Sequence, residues 1–230
     1  MTDPRPGERL LDLVAVMDRL RSPGGCPWDA EQTHHSLVEY LVEEAYETVE
    51  AIETSDDSAL REELGDLLLQ VVFHARIAEE HAEPWSIDDV AAGIIDKLVS
   101  RHPHVFADVD ATTAAEVEAN WAALKAVEKG RESVTDGVPQ ALPALVLAAK
   151  LMSRATKVPT SPAEPDAADA AAAAVAALSV VRPSAEAAYG DLLLALVAQA
   201  RADGVDAEQA LREATRGYRA RVRTAEGLPG

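Results

Sequence analysis

Five carboxylates in this chain are spaced for shared chemistry: Glu43, Glu44 and Glu47 in one run, Glu63 and Asp66 in the next. On a helix, Glu44 and Glu47 stand one turn apart on a common face, and Glu63 and Asp66 repeat that i, i+3 spacing. The connection between the runs is short, which favours an antiparallel helical hairpin in which four carboxylates converge. Uncompensated burial of so much like charge is prohibitive. Two arrangements avoid the cost: the acids face water, or they hold a cation. They share their stripe with apolar residues on both helices, and Asp66 is set between Gly65 and Leu67-Leu68-Leu69, which favours a cation site.

Four oxygen donors with no histidine or thiolate at matching spacing suit Mg²⁺ or Mn²⁺ better than zinc. A di-iron bundle needs two Glu-x-x-His motifs, and the chain offers one, Glu31 to His34. Mg²⁺ commonly keeps open positions for phosphate oxygens, so such a pocket implies a polyphosphate partner and cationic residues nearby. Lys97 and Arg101 fall one turn apart on a later helix, as do Trp121 and Lys125 on the next. Trp121 could stack on a base while Lys125 reaches a phosphate; alternatively each is an ordinary solvated cation or core aromatic. The chain contains no Gly-x-x-x-x-Gly-Lys, His-Glu-x-x-His or Gly-x-Ser-x-Gly motif. Cys26 has no evident base partner and reads as a packing residue, and His34, His35, His102 and His104 as caps or packing.

The elements that must position these residues are helical. Hydrophobic residues make up 48% of the 230 positions but aromatics only 4%, and the surplus of Ala, Leu and Val points to an all-α protein. Periodicity predicts helices over 8–20, 37–54, 58–81, from Ile87 (with Ser86 as N-cap) to about Arg101, 113–129, 144–156 and 206–223, with Cys26-Pro27-Trp28-Asp29 as a loop. Residues 62–76 return at 187–201, sharing Gly-Asp-Leu-Leu-Leu and a closing Ala-Arg, but Glu62 and Glu63 become Ala187 and Ala188. The expected organisation is therefore a module at 1–157, a Pro/Ala-rich linker at 158–177 and a degenerate second module at 178–230.

A formal net charge of −19 argues against a nucleic-acid partner. One cysteine excludes an internal disulfide, no apolar run suggests a membrane span, and the first residues carry no apolar signal segment, so a cytoplasmic location is expected.

The pattern Glu43-Glu44-x-x-Glu47, then Glu63-x-x-Asp66, resembles the MazG family of nucleoside triphosphate pyrophosphohydrolases. Its flanks extend the likeness over about residues 8–157: Gly25-Cys26-Pro27-Trp28-Asp29, Gln32-Thr33-His34, and Lys97 with Arg101-His102-Pro103-His104-Val105-Phe106. The resemblance implies an all-α fold, a tight homodimer, Mg²⁺ dependence, and cleavage of nucleoside triphosphates between the α and β phosphates. By position it makes Glu44, Glu47, Glu63 and Asp66 the metal acids and Lys97, Arg101, Trp121 and Lys125 the nucleotide contacts. Glu43 would orient a water or a ligand carboxylate, and the spacing leaves both Glu43 and Glu47 open as general base.

The tail departs from the family pattern: Asp191 recurs without acidic partners, and an alanine-rich run replaces the expected Glu-Glu-x-x-Glu. That half is read as catalytically silent. Two other readings stay open. One is an all-α pyrophosphatase restricted to dUTP or a damaged, house-cleaning substrate, and the other is an acidic helical interaction protein without turnover.

Overall fold

The computed structural model describes residues 7–107, 113, 133–156 and 185–225, and every regular element among them is helical, as the composition predicts. The chain divides into two compact units, Met1–Leu124 and Lys125–Gly230.

The first unit contains α1 (Glu8–Arg21), α2 (Pro27–Glu31), α3 (Val38–Thr54), α4 (Asp57–Ala78), α5 (Ile87–Arg101) and α6 (Pro103–Phe106). The long α4 is its centre, packing against α1, α3 and α5. Met17 of α1, Leu37 before α3, and Val72, Phe73 and Ile77 of α4 form the buried core, with Leu13, Leu20, Tyr40, Leu68 and Leu69 packed around them. Each such side chain fully withdrawn from water contributes about 1.5–3 kcal/mol.

After α1 the chain folds tightly back: the Cys26 N–H donates to the Leu20 carbonyl at 2.8 Å. A Cβ on Gly25 would lie 2.1 Å from that same oxygen, so the turn requires glycine. The segment predicted as a loop at 26–29 instead starts α2. Pro27 occupies its first turn, where a missing N–H costs nothing and the fixed φ favours helix.

Arg21 then fastens α2 and α4 to α1. Its guanidinium is almost wholly buried, donates to the backbone carbonyls of Asp29 and Gln32, pairs with Glu80 at 2.8 Å, and lies over the Phe73 ring. Arg76 extends the network to Asp18 at 2.8 Å and Glu80 at 2.9 Å.

α5 starts where predicted, with Ser86 and Asp89 forming a reciprocal capping box. Its apolar periodicity, however, does not end in burial: Val90, Ile94, Ile95, Leu98 and Val99 are all exposed.

The second unit contains α7 (Ala144–Ala155), α8 (Ala185–Ala202) and α9 (Ala207–Ala225), each packed against the other two. Ala195, Val197 and Ala198 are buried on α8, and these are the counterparts, in the internal repeat, of buried Gln70, Val72 and Phe73 on α4. The shared glycines do not share this packing role: a Cβ on Gly65 or Gly190 would meet nothing within 4 Å. The expected linker at 158–177 and almost all of the helix expected at 113–129 lie outside the described residues. No helix among those described is long and apolar enough to cross a membrane.

Candidate functional site

The site is built by the hairpin of α3 and α4. Only Ser55 and Asp56 separate the two helices. Ser55 adopts the left-handed conformation (φ 57°, ψ 37°), and its N–H and that of Asp56 close the last turn of α3 on Ile52 and Ala51. The Asp56 carboxylate accepts from the backbone N–H groups of Ser58 and Ala59, both at 3.0 Å, and so caps α4. A turn this short forces the helices antiparallel. Glu47 and Glu63 then fall at matching distances from it, as do Glu44 and Asp66 further along. The i, i+3 spacing on each arm thus becomes a two-by-two set across the hairpin.

Carboxylate oxygens of Glu44, Glu63 and Asp66 lie within 4.8 Å of one another, the one such group of potential metal ligands among the described residues. All three side chains are half-buried. Burial holds the Glu44 carboxyl above the ordinary 4.5, reinforced by repulsion from Asp66, Glu47 and Glu63 and by a hydrogen bond with Glu47. Glu63 is likewise raised, first by desolvation and then by repulsion from Glu47, Glu62 and Asp66. Beyond desolvation, then, the strongest charge acting on Glu44 is Asp66 and on Glu63 is Glu47, the pairing the hairpin register dictates. The fit to a hard divalent cation is good: an oxygen-only donor set, drawn together against its own repulsion, gains most from a central positive charge.

The predicted residues separate into three groups. Glu44, Glu63 and Asp66 converge, with Glu47 close enough to act on both glutamates. Glu43 is exposed on α3 outside that group, Lys97 is exposed on α5, and Arg101 is buried at the end of α5. Trp121 and Lys125 lie outside the described residues.

A second polar cluster, not foreseen from the sequence, sits at the open end of the same hairpin. Nδ1 of His34, in the segment leading into α3, lies 2.7 Å from Nδ1 of His74 on α4. His81 presents its ring edge-on to His34 at 5.1 Å, and Trp85 lies parallel to it at 6.1 Å. Burial, with His34 adjacent, holds His74 below the ordinary histidine value of 6.5. No periodicity signals a pairing across 40 residues, so sequence spacing gave no warning of it.

Comparison with known proteins covers the same segment of the chain. Residues 32–106 match the MazG nucleotide pyrophosphohydrolase domain, a span that includes both acid runs and the histidine pair. An uncharacterized 26.1 kDa protein of Streptomyces cacaoi is 55% identical over 225 residues, covering 96% of this chain and 84% of its own length. The nucleoside triphosphate pyrophosphohydrolase/pyrophosphatase MazG of Thermotoga maritima is 40% identical over 222 residues, 94% of this chain and 85% of that protein. A nucleoside triphosphate pyrophosphohydrolase of Mycobacterium tuberculosis is 51% identical over 156 residues, 67% of this chain; the match spans only 47% of that longer relative.

Proposed function

The chain belongs to the MazG family of nucleotide pyrophosphohydrolases, and from that premise we propose that it hydrolyses nucleoside triphosphates at the α–β bond to a nucleoside monophosphate and pyrophosphate. The observation that carries the reading is the convergence of Glu44, Glu63 and Asp66 on a hairpin that lies within the family match. With Glu47 these acids would hold Mg²⁺, with Mn²⁺ as a substitute. When bound, the cation supplies positive charge that polarises the phosphates and offsets charge on the departing pyrophosphate.

The chain's own groups do the rest. Either Glu43 or Glu47 would accept the proton of the attacking water, the helical spacing leaving both open for the role. Lys97 and Arg101 hold the triphosphate, and Trp121 and Lys125 contribute a stacking surface and a further phosphate contact. The exposed apolar face of α5 supports the homodimer expected from the resemblance. The second module is read as catalytically silent, because Asp191 has alanines where Asp66 has Glu62 and Glu63. We place the protein in the cytoplasm, where its substrates are found.

The test is a panel of nucleoside triphosphates, including dUTP and oxidised nucleotides, incubated with Mg²⁺ and analysed for products. Pyrophosphate and the monophosphate are expected; orthophosphate, or no product from any substrate, would overturn the proposal. Glu63→Ala should reduce turnover by at least about a hundredfold, on the scale of losing one metal ligand, while Asp191→Ala leaves it unchanged. Full turnover in the Glu63 variant would remove the site assignment.

A further inference from the structure

The His34–His74 contact lies in the plane of both rings. The planes differ by only 9°, and the 5.0 Å between centroids is what two imidazole radii give when added to the 2.7 Å nitrogen separation. The rings therefore meet edge to edge along a hydrogen bond and are not stacked face to face. A bond between two Nδ1 atoms requires one proton between them and a lone pair on the receiving ring. The contact is thus good with both rings neutral or with one extra proton shared by the pair. With both rings protonated, two N–H groups point at each other and the bond is lost.

The two states that keep the bond are not equivalent. His74 Nε2 is buried and has no partner among the described residues. A buried N–H left without an acceptor is rarer in proteins than an unused acceptor. The neutral pair therefore keeps its proton on His74 Nδ1, donating to Nδ1 of His34. An added proton on His34 Nδ1 would have to donate the other way, driving the His74 proton onto its buried Nε2.

Among the described residues, the groups on the neighbouring elements offer no compensating charge. The charge acting on His74 is that of His34. Asp18 and Arg21 of α1 and Arg76 and Glu80 of α4 are committed to one another. Asp89 of α5 is held by Ser86, Tyr40 of α3 lies against Trp28, and His81 approaches as a third ring that can itself be protonated.

We propose that His34 and His74 are positioning residues: a proton-sharing clasp across the open end of the α3–α4 hairpin that keeps Glu44 and Glu47 aligned with Glu63 and Asp66 until both rings are protonated. The Ser55-Asp56 turn fixes one end of the hairpin, and the clasp fixes the other. The link to the carboxylates rests on the reading of the preceding subsection; the clasp itself does not.

The test uses the full chain with ¹⁵N-labelled histidine. Wild type should show the His74 Nδ1–H tautomer above pH 8 and two separated titration steps for the pair, the lower one below 6.5. Amide-exchange protection at Val38–Leu41 should fall with that lower step. His34→Gln, whose side-chain carbonyl can still accept from His74, should keep the protection and titrate in one step; His34→Ala should lose it at every pH. Mn²⁺ affinity, measured without nucleotide, should fall about tenfold in His34→Ala and stay near wild type in His34→Gln.

Independent titration of the two rings, unaltered pH dependence in His34→Gln, or wild-type protection in His34→Ala would overturn the clasp. Unchanged Mn²⁺ affinity in His34→Ala would overturn its positioning role. Failure of wild type to hydrolyse any nucleotide would overturn the proposed function, and the histidine and Mn²⁺ measurements would still judge the clasp.

Discussion

At the scale of single residues, the acid cluster carries an electrostatic load that a cation would relieve. Glu44 and Glu63 are raised in the folded chain, so above about 4.5 the native state binds more protons than the unfolded state. The sign follows: in chelator, the contribution of these two acids to stability should decline as pH rises from 4.5 through the raised values and then level off. Mg²⁺ should raise the melting temperature at pH 7.5 and have little effect below pH 4.5, where Glu44 and Glu63 take up protons instead. Glu63→Gln should melt higher than wild type in chelator at pH 7.5 and lose the gain from Mg²⁺. Calorimetry of wild type and Glu63→Gln with and without chelator checks all three, and a pH-independent difference between the two in chelator would contradict them. These acids were legible in the sequence because helical spacing places their side chains directly. Arg21 was not, because two of its partners are backbone carbonyls that any residue type could present.

At the scale of elements, the hairpin turn is a point of strain. Ser55 is the only non-glycine with positive φ among the described residues, in the position after a helix where glycine is usual. Its Cβ costs roughly 1 kcal/mol there, so Ser55→Gly should stabilise the protein by about that amount in urea denaturation. A neutral or destabilising result would mean that glycine's greater freedom in the unfolded chain offsets the relief. The hairpin could be read from sequence because both arms carry strong periodicity and the turn residues are polar. α2 could not: five residues are too few for a period to show, and the signal that mattered was Pro27 at a first turn. α5 was legible as a helix but not in its surroundings, since periodicity marks an apolar face without saying whether the same chain covers it.

At the scale of the whole molecule, that uncovered face carries the prediction. Ile94, Ile95, Leu98 and Val99 are each 42–56% exposed in a protein bearing a net charge of −19, an arrangement suited to a second copy of the chain. Sedimentation equilibrium should give a dimer for wild type and a monomer for the Ile95→Glu, Leu98→Glu double variant; a wild-type monomer would refute it.

The repeat is visible at this scale too, where the sequence showed more than expected: three buried positions of α4 recur as buried positions of α8 although the acids do not. The hairpin also bears on the order in which the chain can assemble. All four proposed metal acids lie within residues 44–66, whereas the Arg76–Asp18 pair that fastens α1 spans 58 residues. Closing the shorter loop costs less entropy, so local closure favours gathering the acids before α1 arrives. A local hairpin of the first unit brings the charges together, and one of the unit's most distant contacts closes over the helix that carries half of them.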